Sequence, residues 1–310
     1  MKLLRSSRRL KSDRGFLGLA DGELAEVKKA EDILLTLDRN SELEGLPFMD
    51  EMWQYCGKEL KVLKRVGKII VEGVGVRYIK NTVILEGVEC GGEAHGDCKR
   101  TCPILWKEAW LQRPHAQSSS HALERPSIEI GRGHLDSGAS KLKCQSASLM
   151  QSSSDLAFWN PRRYQDDVRK GRIGPLLISV NFLVQKLLTG RRRVGLSSGR
   201  RTTPSGSLHL QPGEFVEVRN LQGILLTLDA SGKNRGLEFT TEMQEYCGRR
   251  FRVLKALDRM IIEQTGKMRQ IGNTVILEGV HCDGKAHGGC PRNCYCMFRE
   301  IWLKRVKDET

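Results

Sequence analysis

The chain has 310 residues, of which 39% are hydrophobic and only 6% aromatic, so it is long enough for two modest domains with small aliphatic cores. Ten cysteines are too few for a disulfide-dense secreted scaffold, and no apolar run of the signal-peptide kind follows the basic N-terminus. The longest apolar segment, residues 175–188, is shorter than the roughly 20 residues of a transmembrane helix. We therefore expect a cytoplasmic protein with no transmembrane segment, whose clustered cysteines bind metal.

The net charge of +14 is distributed unevenly along the chain. Residues 1–20 form a basic arm, and residues 113–212 carry sixteen Lys or Arg against six Asp or Glu. The cysteine-bearing segments on either side of residues 113–212 are close to neutral. Any contact with nucleic acid is therefore expected through the middle segment rather than through the cysteine-bearing parts.

An internal duplication organises the chain. GELAEVKKAEDILLTLD at residues 22–38 returns as GEFVEVRNLQGILLTLD at 213–229, and NTVILEGVEC at 81–90 returns as NTVILEGVHC at 273–282. Between these, EMWQYCGKELKVLKRV returns as EMQEYCGRRFRVLKAL. This duplication predicts four parts: a basic arm at 1–20, a first repeat at 21–113, a basic Ser-rich linker at 114–212 and a second repeat at 213–306.

Within each repeat the predicted elements are mostly strands. GEFVEVR and KELKVLKRV alternate apolar and polar residues, and NTVILEGV is a β-branched run typical of a central strand. LPFMDEMWQYCG and LEFTTEMQEYCG predict a helical turn that ends at Gly57 or Gly248. Short strands with one helical turn predict a mainly β fold of two small SH3-like β-barrels.

The middle segment differs in composition from the repeats. Residues 116–156 are rich in Ser, Gly and His, which predicts loose loop or disorder. The apolar run at 175–188 predicts one amphipathic helix, and residues 191–207 return to a basic linker. We therefore expect a partly disordered tether with one docking helix.

Each repeat carries the spacing Cys-x4-His-x2-Cys-x3-Cys, and four such ligands in one loop suit tetrahedral zinc. Glycines between the ligands allow a short loop to fold around an ion. Closed sites of three cysteines and one histidine are usually structural, and an iron–sulfur cluster is the main alternative. The predicted ligands, for two zinc ions, are Cys90, His95, Cys98 and Cys102 in the first loop and Cys282, His287, Cys290 and Cys294 in the second.

Two further cysteines, Cys56 and Cys247, recur in the sequence Tyr-Cys-Gly. The simplest interpretation is a small buried side chain beside a glycine that ends a helix, and the alternative is an additional ligand or a reactive thiol. The recurring Glu86 and Glu278 follow an apolar strand and offer a possible partner for the ligand histidine.

The motifs as a set resemble an uncharacterised prokaryotic family of duplicated Cys/His-loop proteins. They stand here as LPFMDEMWQYCG, NTVILEGVECGGEAHGDCKRTCPILWKEAWL and NPRRYQDDVRKG, and the resemblance covers most of residues 20–305. It implies the repeat boundaries and implies no activity.

The sequence contains no Gly-x-x-x-x-Gly-Lys-Ser/Thr phosphate loop and no His-Glu-x-x-His motif, which argues mildly against familiar enzyme classes. We therefore expect a zinc-binding scaffold or interaction protein with a protein partner. The alternatives are a nucleic-acid-binding protein that uses residues 113–212, and an iron–sulfur or thiol-dependent accessory enzyme of a biosynthetic pathway.

Overall fold

The computed structural model describes residues 16–114, 143–157, 159–164, 168 and 202–306. The described part of the chain is mainly β, as the sequence predicts, and its α-helices are short. These helices are α1 (Ala30–Leu34), α2 (Leu149–Ser152) and α3 (Leu221–Leu225). Among the described residues, no helix is long and apolar enough to cross a membrane. The helix predicted at 175–188 lies outside the described residues.

The first sheet is antiparallel and is built from the N-terminal copy of the repeat. Its strands follow the order β6-β5-β4-β1-β7. A separate short pair, β2 with β3, lies between β1 and β4 in the chain. The bounds are β1 Leu24–Val27, β2 Glu42–Leu43, β3 Leu46–Pro47, β4 Glu59–Val71, β5 Gly75–Glu89, β6 Pro103–Lys107 and β7 Leu111–Gln112.

The second sheet, from the C-terminal copy, has the corresponding strand order β16-β15-β12-β9-β17. The long hairpin of the first sheet is here divided into a sheet portion and a separate pair, β13 with β14. The division falls where Gly272 replaces Lys80, because glycine has a weak strand preference. The bounds are β9 Phe215–Val218, β10 Lys233–Asn234, β11 Leu237–Glu238, β12 Arg250–Ala256, β13 Arg259–Ile261, β14 Met268–Gln270, β15 Thr274–His281, β16 Tyr295–Arg299 and β17 Leu303–Arg305.

Each core contains a buried tryptophan shortly after the residues of β6 or β16, and the first core contains a second one, Trp106. Trp110 and Trp302 are fully buried, and each indole N–H donates to a threonine hydroxyl, Thr36 at 3.1 Å and Thr227 at 2.9 Å. A buried tryptophan needs such an acceptor for its N–H group. The indoles therefore anchor α1 and α3 to the two cores.

A buried glutamate in each copy fixes the segment that leads into the first strand. The Glu108 carboxylate accepts hydrogen bonds from the backbone N–H groups of Leu17, Gly18 and Leu19. It also forms an ion pair with Arg65 at 2.5 Å. Its counterpart in the second copy accepts hydrogen bonds from the hydroxyl group of Ser207 and the backbone N–H groups of Leu208, His209 and Leu210. That counterpart is Glu300.

Residues 143–157 correct part of the predicted loose loop at 116–156. This stretch holds α2 and a short strand, β8 (Ser154–Asp155), which pairs with β5. The Gln145 amide exchanges hydrogen bonds with both backbone groups of Leu105, at 2.8 and 2.9 Å, and donates to the Pro47 carbonyl at 3.1 Å. The amino-acid composition of this stretch predicts disorder because composition carries no information about individual hydrogen bonds such as those of Gln145.

Candidate metal centre

Two groups of three potential metal ligands stand out, one in each copy. In the first, ligand atoms of Glu51, Cys90 and His95 all lie within 4.8 Å of one another. The second group is Glu242, Cys282 and His287, which occupy the corresponding positions of the duplicated sequence. Each group therefore offers one carboxylate oxygen, one sulfur and one imidazole nitrogen.

The first group combines ligands from two separate segments. Glu51 lies in the 3₁₀ turn Asp50–Tyr55, whereas Cys90 directly follows β5 and His95 ends a short 3₁₀ turn. The backbone N–H of Cys90 donates to the Cys102 carbonyl at 2.8 Å, which closes the loop at its base. The second loop is closed in the same way, from Cys282 to Cys294 at 2.7 Å.

One position in each loop requires glycine. Gly92 has φ of +87°, and a Cβ atom there would lie 1.9 Å from the Cys98 carbonyl oxygen. Gly284 has φ of +77°, with 2.0 Å to the Cys290 carbonyl oxygen. Only glycine allows this close approach of two backbone segments. The recurring glycines therefore set the curvature that brings the histidine back to the cysteine.

Several polar atoms of the two groups are buried without a partner. His95 Nε2 lies 3.2 Å from Cys90 Sγ, and Glu51 Oε2 accepts the backbone N–H of Gly91 at 2.7 Å. Glu51 Oε1, His95 Nδ1 and Glu242 Oε2 are buried and have no hydrogen-bond partner among the described residues. Because buried polar atoms without partners are rare and costly, these atoms fit a cation that would satisfy them.

Burial and hydrogen bonding shift the ionisation of the ligands. Burial raises the pKa of the Cys90 and Cys282 thiols and lowers the pKa of His95. The hydrogen bond to Glu242 raises the pKa of His287, whose Nε2 lies 3.4 Å from that carboxylate. The first histidine is fully buried, whereas the second is partly exposed. The two sites therefore differ in proton affinity despite their matching ligands.

The remaining predicted ligands lie nearby but outside these groups of three. Cys98 and Cys102 line the same cavity as Cys90 and His95. In the second copy, Cys290 is buried, and Cys294 is only partly exposed. Among the described residues, the two groups with ligand atoms within 4.8 Å include none of these four cysteines. The structure thus brings together two of the four predicted ligands in each loop and adds a glutamate.

Three residues of these sites are not among the predicted ligands: Glu51, Glu242 and Cys144. The signal for Glu51 and Glu242 was present, because both begin the recurring EM…YCG segment. Cys144, from the middle segment, is buried and lines the first cavity together with Cys102. It has no recurring sequence context, so only the packing of residues 143–157 reveals it. Burial raises its thiol pKa to about 12.

The cysteines of the Tyr-Cys-Gly segments lie apart from both groups. Cys56 and Cys247 each end a 3₁₀ turn and pack, half-buried, against the cores of their respective copies. Burial raises the pKa of both thiols. Glu86 and Glu278 are exposed, so the carboxylate beside each histidine is Glu51 or Glu242 instead.

Comparison with known protein families, with curated proteins and with solved structures gives no match to this chain. The ligand geometry therefore carries the functional argument. That geometry establishes two Cys/His/Glu groups that could hold metal ions.

Proposed function

We propose that the protein binds two zinc ions, one at each Glu/Cys/His group, and that the ions maintain the shape of a scaffold that engages a protein partner. The proposal rests on buried atoms that have no hydrogen-bond partner among the described residues: a Glu51 oxygen and a His95 nitrogen in the first group, and a Glu242 oxygen in the second. Sulfur, imidazole and carboxylate together form a donor set that suits zinc.

The fourth position of each tetrahedron remains to be supplied. Cys98 or Cys102 in the first loop, and Cys290 or Cys294 in the second, lie in the same loops and would supply the fourth ligand. A closed site of this kind is structural. In this proposal the two sheets are SH3-like modules that are too small to fold firmly without metal.

Zinc is favoured over an iron–sulfur cluster by the donor types. Clusters are held mainly by several thiolates, whereas each group here contains one cysteine with a histidine and a glutamate. A nucleic-acid role remains the second proposal, because residues 113–212 carry sixteen basic side chains against six acidic ones. Its test is whether deletion of residues 113–212 abolishes salt-sensitive binding to RNA or DNA.

Removal of the metal tests the proposed function. EDTA at neutral pH should release two zinc ions per chain and lower the thermal unfolding temperature, and added zinc should restore it. If EDTA releases no zinc and the unfolding transition is unchanged, the proposal is wrong.

A further inference from the structure

Each predicted ligand loop rests on a hairpin from the other copy. The backbone N–H of Ile261, in β13, donates to Cys98 Sγ at 3.4 Å. The backbone N–H of Ile70, in β4, donates to Cys290 Sγ at 3.4 Å. Ile70 and Ile261 are equivalent positions of the duplicated sequence. The two copies therefore make the same contact to each other's loop, in both directions.

The loop backbones approach the opposite hairpins closely. A Cβ atom on Gly96 would lie 3.1 Å from Met268 Cε, and one on Gly288 would lie 2.9 Å from Val76 Cγ2. Val76 and Met268 are again equivalent positions. In addition, the backbone N–H of Lys99 donates to the Arg259 carbonyl at 3.1 Å. These contacts leave little room for either loop to move independently of the opposite copy.

A buried charge cluster joins the two loops directly. Arg100 from the first loop and Arg292 from the second both contact Glu263, at 3.0 and 2.6 Å. Arg100 also contacts Glu72, the equivalent of Glu263, at 2.7 Å. The Glu263 side chain is fully buried, whereas the Glu72 side chain is 48% exposed. Two buried guanidinium groups thus share one fully buried carboxylate.

The charge balance of this cluster depends on the nearby sulfurs. Arg292 Nε is buried without a hydrogen-bond partner among the described residues. The Ser146 hydroxyl group, 3.5 Å from an Arg292 guanidinium nitrogen, donates to Cys102 Sγ at 3.3 Å. Thiolates that bind a metal carry negative charge, and hydrogen bonds to such sulfurs stabilise the metal-bound form. If Cys102 binds the first ion as a thiolate, negative charge is placed near Arg292 of the second loop.

We propose that the two metal sites are thermodynamically coupled, with the Arg100–Glu263–Arg292 cluster as their shared support. This inference rests on the proposed function and deepens it. Binding of an ion at the first site orders the first loop together with the opposite hairpin, and Glu263 of that hairpin contacts Arg292 of the second loop. The second ion then binds to a scaffold that is already ordered, so its affinity rises. Coupling of this kind is reciprocal.

Zinc affinity in single-site variants of the full chain tests the coupling. Cys90→Ser with His95→Ala disables the first site, and Cys282→Ser with His287→Ala disables the second. Competition with a chromophoric chelator then measures zinc affinity at the site that remains. Each pair of substitutions should lower the affinity of the other site about tenfold, by the same factor in both directions.

Substitutions in the cluster separate coupling from local damage. In the Glu263→Gln background, the zinc affinity of each site should be the same whether the other site is intact or disabled. If that variant does not fold, Glu72→Gln, at the half-exposed carboxylate, should reduce the coupling factor. The matched control is Glu217→Gln, which alters a partly exposed ion pair with Lys304, away from both loops in the sequence, and should leave the coupling unchanged.

The possible outcomes distinguish the two proposals. A wild-type protein that binds no zinc would overturn the proposed function, and the coupling with it. A protein that binds two ions, each with an affinity unaffected by loss of the other site, would overturn only the coupling.

Discussion

Single carboxylates decide what the cysteine loops can bind. A loop that offered only sulfur and imidazole would suit several soft metals, whereas Glu51 and Glu242 add a hard oxygen donor to each. Both carboxylates have one buried oxygen without a hydrogen-bond partner among the described residues. The cost of leaving that oxygen unsatisfied is removed when it binds a cation. Glu51 and Glu242 are therefore the residues whose substitution tests the sites most sharply.

Replacement of Glu51 by Gln should weaken zinc binding at the first site about tenfold or more, because the amide oxygen carries no charge. Chelator competition on Glu51→Gln measures the loss. The matched control is Glu86→Gln, at an exposed glutamate of the same copy. Equal zinc affinity in Glu51→Gln and in the wild-type protein would exclude this carboxylate as a ligand.

Proton release on zinc binding should differ between the sites. Burial raises the pKa of the Cys90 and Cys282 thiols above the ordinary 9.0, so both are protonated at pH 7 before metal binds. Each ion must therefore displace at least this thiol proton, and zinc affinity falls as the pH is lowered. His95 has a lowered pKa and His287 a raised pKa, so near pH 6.5 the second site should release more protons. Calorimetry of single-site variants in buffers of different ionisation enthalpy measures the number of protons released on zinc binding at each site. Equal release from the two sites would contradict the assignment.

At the scale of elements, the buried glutamates after β6 and β16 hold the entry to the first strand of each sheet. Replacement of Glu108 by Gln removes the charge that pairs with Arg65 and weakens three backbone N–H bonds. Breaking one partner of a buried pair costs about 3 kcal/mol, so Glu108→Gln should lower the free energy of unfolding by that order. Urea unfolding with zinc in excess measures it, and the exposed Glu59→Gln serves as control. A change below about 0.5 kcal/mol, typical of surface substitutions, would show that the carboxylate is not an anchor.

The docked segment that contains α2 depends on one amide side chain. Gln145→Ala leaves both backbone groups of Leu105 without their partner, at a cost of about 1–3 kcal/mol. Hydrogen exchange of residues 143–152 should therefore become faster in this variant. Gln151→Ala, at an exposed position of α2, should leave the hydrogen exchange of these residues unchanged. Unaltered protection in Gln145→Ala would mean that other contacts hold the segment.

At the scale of the whole molecule, local sequence pattern predicts the secondary-structure elements better than it predicts the tertiary contacts between them. The alternating segment KELKVLKRV and the β-branched run NTVILEGV form strands as expected, and the Cys90–His95 contact follows from spacing within one loop. Glu51 joins that pair only after a turn and two long strands fold back on each other, which no local pattern encodes. Cys144 reaches the first cavity through an anchor whose partners are backbone groups of distant residues.

The contacts between the two copies are the part of the structure that the sequence predicts least. The duplication was visible, and so was the equivalence of Glu72 with Glu263. The convergence of Arg100 and Arg292 on one of these carboxylates depends on how the two copies pack. A pattern within one copy contains no information about its distance from the other. The sequence therefore predicts two similar loops, and the structure shows the contacts between them on which the proposed coupling rests.

Metal content after anaerobic purification, measured by elemental analysis together with the absorption spectrum, tests the central claim most directly. The proposed function predicts two zinc ions per chain, a colourless protein, and one ion per chain when Cys90→Ser is combined with His95→Ala. A protein that contains no metal, or a brown protein that contains iron and absorbs near 400 nm, would contradict it.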